Sequence, residues 1–149
     1  MKIDQLLKSE RIALNLTAKD KFEVIDKLAQ LMSGAPEVED FDLLRSDIVQ
    51  REKEMPTGLE HGTAIPHART YGVNNLVLAF ARLQKPVDFG AVEGDPAQLI
   101  FQFGVPINQV SVYLKILAKL SRLLKSKDLR EKLLKAATPQ DIIDAFAGK

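Results

Sequence analysis

Asn75-Leu76-Val77-Leu78-Ala79-Phe80-Ala81-Arg82-Leu83 is the stretch on which the fold turns. A run this dense in apolar residues can be a buried strand or a buried helix, and its flanks arbitrate. Gly72, the pair Asn74-Asn75 and Pro86 crowd its ends and weaken the helical reading, so it reads as a strand. Downstream, residues 97–105 offer a second buried strand around Gln98-Leu99-Ile100-Phe101-Gln102-Phe103, which Gly104 and Pro106 are expected to end. Upstream, Arg11-Ile12-Ala13-Leu14-Asn15-Leu16 alternates apolar and polar residues and suits a half-buried strand. A compact extended piece is expected at roughly 63–67.

Helices fill the rest. Thr17 reads as an N-cap with Asp20 as a capping-box partner, followed by Phe22, Ile25, Leu28, Ala29 and Met32 at helical spacing and by Gly34 and Pro36 as a stop. Asp40 or Asp42 caps a second helix carrying Phe41, Leu44 and Ile48 on one stripe, which runs to about residue 53 before Pro56-Thr57-Gly58. From about Gln109 to Leu124 two apolar stripes lie side by side: Tyr113, Ile116, Leu120 and Leu123, and Val110, Leu114, Leu117 and Leu124. So wide an apolar arc predicts a helix packed hard against a sheet. Asp128 opens a short helix, and Thr138-Pro139 opens the last one. The order is strand, two helices, several strands, three helices. It predicts one α/β domain over residues 1–149 with helices on both faces of a mixed sheet.

The bulk composition excludes several functions. A chain of 149 residues can bury about 70% of the surface its unfolded form exposes, so it needs no metal or disulfide to fold. With 21 basic and 20 acidic residues there is no charge excess to bind nucleic acid or an anionic membrane surface. The absence of cysteine excludes disulfides, thiol catalysis and thiolate metal sites. Met1-Lys2-Ile3-Asp4-Gln5 lacks the apolar core of a signal peptide, and no apolar run approaches the roughly 20 residues that span a bilayer. A cytoplasmic location without membrane insertion is expected.

Of the two histidines, His67 ends the run Gly62-Thr63-Ala64-Ile65-Pro66-His67. Pro66 biases Ile65 toward extended geometry, so the imidazole is displayed from a rigid segment. It is either a nucleophile that is largely neutral near pH 7 or a core histidine satisfied by hydrogen bonds. His61 reads as an exposed loop residue, and no third ligand joins the two histidines into a metal site. Arg51 follows Ile48 by three and Leu44 by seven, so it extends the stripe of the second helix. Its guanidinium either caps the helix's last carbonyls or points into an anion site. There is no Gly-x-Ser-x-Gly elbow, no Walker loop and no Gly-x-Gly-x-x-Gly, so serine hydrolysis and nucleotide binding have no support.

The segment Arg51-Glu52-Lys53-Glu54-Met55-Pro56-Thr57-Gly58-Leu59-Glu60-His61-Gly62-Thr63-Ala64-Ile65-Pro66-His67 resembles the signature of enzyme IIA of the fructose/mannitol class, from the bacterial phosphoenolpyruvate-dependent sugar phosphotransferase system. The nitrogen-regulatory branch shares that signature: Arg-Glu, a short gap, Thr-Gly, then Gly-x-Ala-Ile-Pro-His. The resemblance extends over essentially the whole chain. It implies a three-layer α/β/α sandwich with a mixed central sheet of four to five strands. It also implies that His67 accepts a phosphoryl group from the phosphohistidine of an HPr-like carrier and passes it to an enzyme IIB. Arg51 would stabilise that group, and no metal or other cofactor is called for. Thr57, Gly58, Gly62 and His61 fall with the phosphoryl- and partner-binding segment, where the glycines would let backbone approach closely. Tyr113 stands where many members carry a second histidine, Pro56 where serine is common and Ala68 where glycine is common. A second reading is a regulatory module that controls a target protein by binding according to its own phosphorylation state.

Overall fold

A computed structural model describes residues 1–92 and 94–149. Its centre is a mixed sheet built from β1 (Ile12–Leu16), β2 (Thr63–Ala64), β3 (His67–Thr70), β4 (Val77–Val87) and β5 (Ala97–Pro106), in the order β1-β4-β5-β2 with β3 also on β5. β4 and β5 are antiparallel, while β1 runs parallel to β4 and β2 and β3 run parallel to β5. β2 and β3 form one interrupted track along β5: Ala64 pairs with Ile100 and His67 with Phe103. The break falls at Ile65-Pro66, where proline has no N–H to give a ladder. Helices α2 (Lys21–Met32) and α3 (Phe41–Glu54) cover one face. Helices α1 (Ile3–Leu6), α4 (Val110–Leu123), α5 (Lys127–Lys135) and α6 (Pro139–Ala145) cover the other, completing the expected three-layer sandwich.

The sheet residues explain the two layers. Alternation along β4 and β5 sends Leu78, Phe80, Leu99, Phe101, Phe103 and Val105 to the α4 side. Phe80 and Phe101 meet edge-on with centroids 5.0 Å apart, and Phe146 of the C-terminal segment closes on Phe101 at 5.9 Å. The opposite face presents smaller residues, Val77, Ala79, Ala81 and Ile100, so α2 and α3 lie close to the sheet. With both faces covered, the central strands read as continuous apolar runs.

Several expected boundaries move. Gly104 does not end β5. A Cβ there would lie 2.9 Å from both Leu44 Cδ1 and Val77 Cγ1, so the missing side chain is what lets α3 cross the strand. β4 runs past Leu83 to Val87 and takes in Pro86, where its pairing with β5 is irregular between Arg82 and Val87. The N-cap of α2 is Asp20, which accepts from Glu23 N at 2.9 Å; Thr17 caps nothing and gives its carbonyl to Lys27 instead. Ser126 rather than Asp128 caps α5, while Asp40 caps α3 and Thr138 caps α6 as expected. In α4 only Tyr113, Ile116 and Leu120 are buried, and Leu114 from the second stripe is 55% exposed. No helix among the described residues is long and apolar enough to cross a membrane.

One sheet residue ties down the C-terminal layer. Arg82 Nη1 donates to the carbonyls of Leu133 at 3.1 Å, Leu134 at 3.1 Å and Ala136 at 2.7 Å, closing the carboxyl end of α5. Hydrogen bonds from a charged donor to helix-terminal carbonyls are strong ones. Arg82→Met is expected to lower stability by about 2 kcal/mol in urea unfolding, because three carbonyls lose one donor together.

Candidate functional site

The last turn of α3 carries two adjacent residues that point to different places. Glu52 is only 2% exposed and turns inward. Its Oε2 accepts from Thr57 N at 2.9 Å and from Lys21 Nζ at 3.1 Å, and its Oε1 accepts from the Thr57 hydroxyl. That carboxylate therefore anchors the loop leaving α3. The loop is tied again where Gly58 N donates to the Phe89 carbonyl at 3.2 Å, Leu59 N to Thr63 at 2.8 Å and Ile65 N to Thr57 at 3.1 Å. Arg51 turns the other way. Its Nη1 donates to the Met55 carbonyl at 2.8 Å, which closes the helix end, and its side chain lines a cleft of about 520 Å³. The contact with the helix's last carbonyls is thus present, and the same side chain borders the cleft.

His67 enters this cleft at the start of β3 and is half-buried. Its Nδ1 lies 2.9 Å from the Ile65 carbonyl. A carbonyl only accepts, so the neutral ring carries its proton on Nδ1 and keeps a lone pair on Nε2. Burial lowers the pKa of the imidazole; the hydrogen bond to the Ile65 carbonyl opposes it in part, the Arg51 charge adds to the lowering, and Glu52 opposes least. The ring is therefore neutral near pH 7. Tyr113, from the first turns of α4, stacks obliquely on it with centroids 5.2 Å apart and an interplanar angle of 34°. The edge of Phe103 backs Tyr113 at 5.2 Å. The Tyr113 hydroxyl is buried with no hydrogen-bond partner among the described residues, and burial drives its pKa far above the usual phenol value.

The cleft is completed by Arg69, Val110 and Leu114, with Asp47, Gln50 and Glu54 from α3. Val110 is the first residue of α4, and no side chain caps that helix at Gln109. The amino end of α4 thus borders the cleft, whose lining sets the guanidinium-bearing Arg51 and Arg69 against the carboxylates of Asp47 and Glu54. Arg69 did not figure among the sequence candidates, yet it is two residues from His67 on one strand, and that period alone puts both on one face.

The structure brings together His67, Arg51 and Tyr113 and separates the other candidates from them. His61 stands at φ 64° and lines a different cleft with Leu59, Thr63, Ser121 and Leu124, its Nε2 3.6 Å from Glu60 Oε2. Thr57 is buried against Glu52. Gly58 owes its identity to the neighbouring loop: a Cβ would come within 2.8 Å of the Phe89 carbonyl oxygen and 2.9 Å of Ala91 N. Gly62 is favoured by its φ of +71°. Neither glycine lines the His67 cleft. Glu52 stands in the signature but its role is not legible there, because its partner Thr57 is five residues on, outside the helical spacings that link side chains.

Comparison with known proteins gives this geometry a context. The chain is 36% identical over 144 residues to the PTS system fructose-specific EIIABC component of Bacillus subtilis, covering 97% of this chain and 23% of that protein. It is 38% identical over 138 residues to the PTS system fructose-specific EIIA component of Haloferax volcanii, covering 93% of this chain and 90% of that one. Its fold superposes on the crystal structure of the nitrogen regulatory protein IIA-Ntr from Neisseria meningitidis with a TM-score of 0.85, at 30% identity and over 97% and 98% of the two chains. Residues 5–149 match the family described as phosphoenolpyruvate-dependent sugar phosphotransferase system, EIIA 2, and to that enzyme IIA family the chain belongs.

Proposed function

We propose that residues 1–149 act as one cytoplasmic phosphoryl carrier in which His67 is the phosphorylated residue. The hydrogen bond from Nδ1 to the Ile65 carbonyl carries this reading, because it leaves Nε2 as the free nucleophile beside Arg51. The Nε2 lone pair forms the new N–P bond as the N–P bond of a phosphohistidine on an HPr-like donor breaks, and the donor ring leaves with that electron pair. The proton stays on Nδ1, donated to the Ile65 carbonyl, throughout. Such a transfer passes through a loose transition state with charge spread over three oxygens, so catalysis is mostly positioning and charge stabilisation. Arg51 can hold two of those oxygens, and Arg69 and the amino end of α4 add positive potential. Reversal of the step onto an acceptor such as enzyme IIB empties the site.

Tyr113 supplies the donor that a second histidine supplies in other members of the family. Its hydroxyl has no partner among the described residues, so it is free to donate to a phosphoryl oxygen. An unsatisfied buried hydroxyl is destabilising. Tyr113→Phe is therefore expected to raise the stability of the unphosphorylated protein by about 1 kcal/mol while slowing phosphoryl transfer several-fold. Urea unfolding and rapid-quench labelling of the same preparation read the two effects.

The test of the carrier reading is an incubation with phosphoenolpyruvate, enzyme I and an HPr-like protein, or their nitrogen-branch counterparts. Intact mass should show one added phosphoryl group that is labile to acid and to hydroxylamine. No label from any donor would end this reading. A second reading, control of a target protein by phosphorylation-dependent binding, is favoured by Tyr113 standing where many members of the family carry a second histidine. Label that no enzyme IIB can remove would support it.

A further inference from the structure

Behind the His67 ring runs an unbroken line of hydrogen bonds that no step of the transfer uses. Lys21, at the start of α2, holds Glu52 Oε2 at 3.1 Å. Glu52 takes both the N–H, at 2.9 Å, and the hydroxyl of Thr57. The Thr57 carbonyl takes Ile65 N at 3.1 Å, and the Ile65 carbonyl takes His67 Nδ1 at 2.9 Å. On the far side, Phe103 N donates to the Pro66 carbonyl at 3.0 Å. The peptide groups on either side of the Ile65 carbonyl are thus both pinned, one to the loop after α3 and the other to β5. Pro66 further confines Ile65 to extended backbone. The direction of that carbonyl is fixed by these ties, and it alone selects the Nδ1–H tautomer.

We infer that Glu52, braced by Lys21, is a positioning residue that sets the tautomer and the aim of His67 through Thr57 and Ile65. This deepens the carrier reading and rests on it. A buried carboxylate is costly to keep unless donors and a counter-charge meet it, and here three donors, one of them the Lys21 ammonium, converge on it. Both oxygens are needed as acceptors, one for the Thr57 N–H and the other for its hydroxyl. Glutamine has one acceptor oxygen, so in Glu52→Gln the Thr57 hydroxyl must turn round to accept from the amide and Lys21 loses its anionic partner, which resets the Thr57 end of the line. Nothing in the fold's core requires a charge at this place; Leu44 and Ile48 bury the same helix without one.

The experiment compares Glu52→Gln, Thr57→Val and Thr57→Ser with the wild type well below their melting temperatures. Rapid-quench phosphorylation gives the rate, and nitrogen-15 histidine spectra of the unphosphorylated proteins give the tautomer. The expected result is a transfer rate about tenfold lower in Glu52→Gln and Thr57→Val, since small misplacements of a reacting group are costly. Both variants should also show a mixed His67 tautomer, with both properties restored in Thr57→Ser. A role in stability alone would lower the melting temperature and leave the tautomer and the rate per folded molecule unchanged, which would overturn the proposal. If Glu52→Gln does not fold, the two Thr57 variants decide by the same readouts. Failure of the carrier reading looks different: the wild type itself stays unlabelled with every donor.

Discussion

His67→Gln is expected to lose all acid-labile phosphoryl label while keeping the fold. Glutamine reaches about as far as histidine and its amide can still donate to the Ile65 carbonyl, but an amide nitrogen has no lone pair to offer phosphorus. No other histidine can substitute, because His61 lines a separate cleft. The same substitution should alter how stability depends on pH. Burial, then the Arg51 charge, holds the His67 pKa below the ordinary imidazole value. Below about pH 6.5 the unfolded chain therefore binds a proton at this position that the folded chain resists. Stability from His67 is intact above that pH and is lost as the pH falls through the window beneath it. Urea unfolding at pH 7.5 and pH 5.5 should show the Gln variant gaining on the wild type at the lower pH. A variant that is still labelled, or an unchanged stability difference between the two pH values, would remove His67 from the role given to it.

The fold was legible wherever a segment was long and its chemistry one-sided. Residues 75–83 and 97–105 are apolar on both faces because helices cover both faces, and Asp40 and Thr138 announce their helices by side chain alone. What escaped was decided by partners far away in sequence. α1 is a single turn, too short for any periodicity, and exists because Ile3 and Leu6 bury against the C-terminal layer and Ile3 N reaches the Lys149 carbonyl. Gly104 looks like a stop until α3 is laid across it. Leu114 sits at core spacing but faces the His67 cleft, since periodicity cannot separate an apolar residue kept for the core from one left at a site. At the site itself, Pro66 and the small residues before it announced a rigidly held ring. The tautomer of that ring could not be read, because it hangs on a carbonyl whose direction is fixed from Glu52 and from Phe103, 15 residues before and 36 residues after His67.

Arg51 is expected to show the second-largest loss, and two substitutions separate its two contacts. Arg51→Lys keeps the charge but not the planar fork, so transfer should fall about tenfold. Arg51→Gln removes both, and a loss of about 10²-fold is expected, in line with the removal of one preorganised donor from a developing oxyanion. The pH profiles should differ as well. Protonated His67 has no lone pair, so the transfer rate falls on the acid side as the ring gains its proton. The Arg51 charge lowers the His67 pKa, hence its removal in the Gln variant lets that pKa rise and moves the acid limb to higher pH. In the Lys variant a cation remains and the limb should stay close to the wild-type position. Stability offers the control. Lysine can still donate to the Met55 carbonyl that Arg51 Nη1 holds at 2.8 Å, so both variants should unfold within about 1 kcal/mol of the wild type. If Arg51→Gln transfers at the wild-type rate with an unmoved acid limb, the guanidinium does no more than close the carboxyl end of α3, and the positive potential at the cleft must come from Arg69 and the amino end of α4.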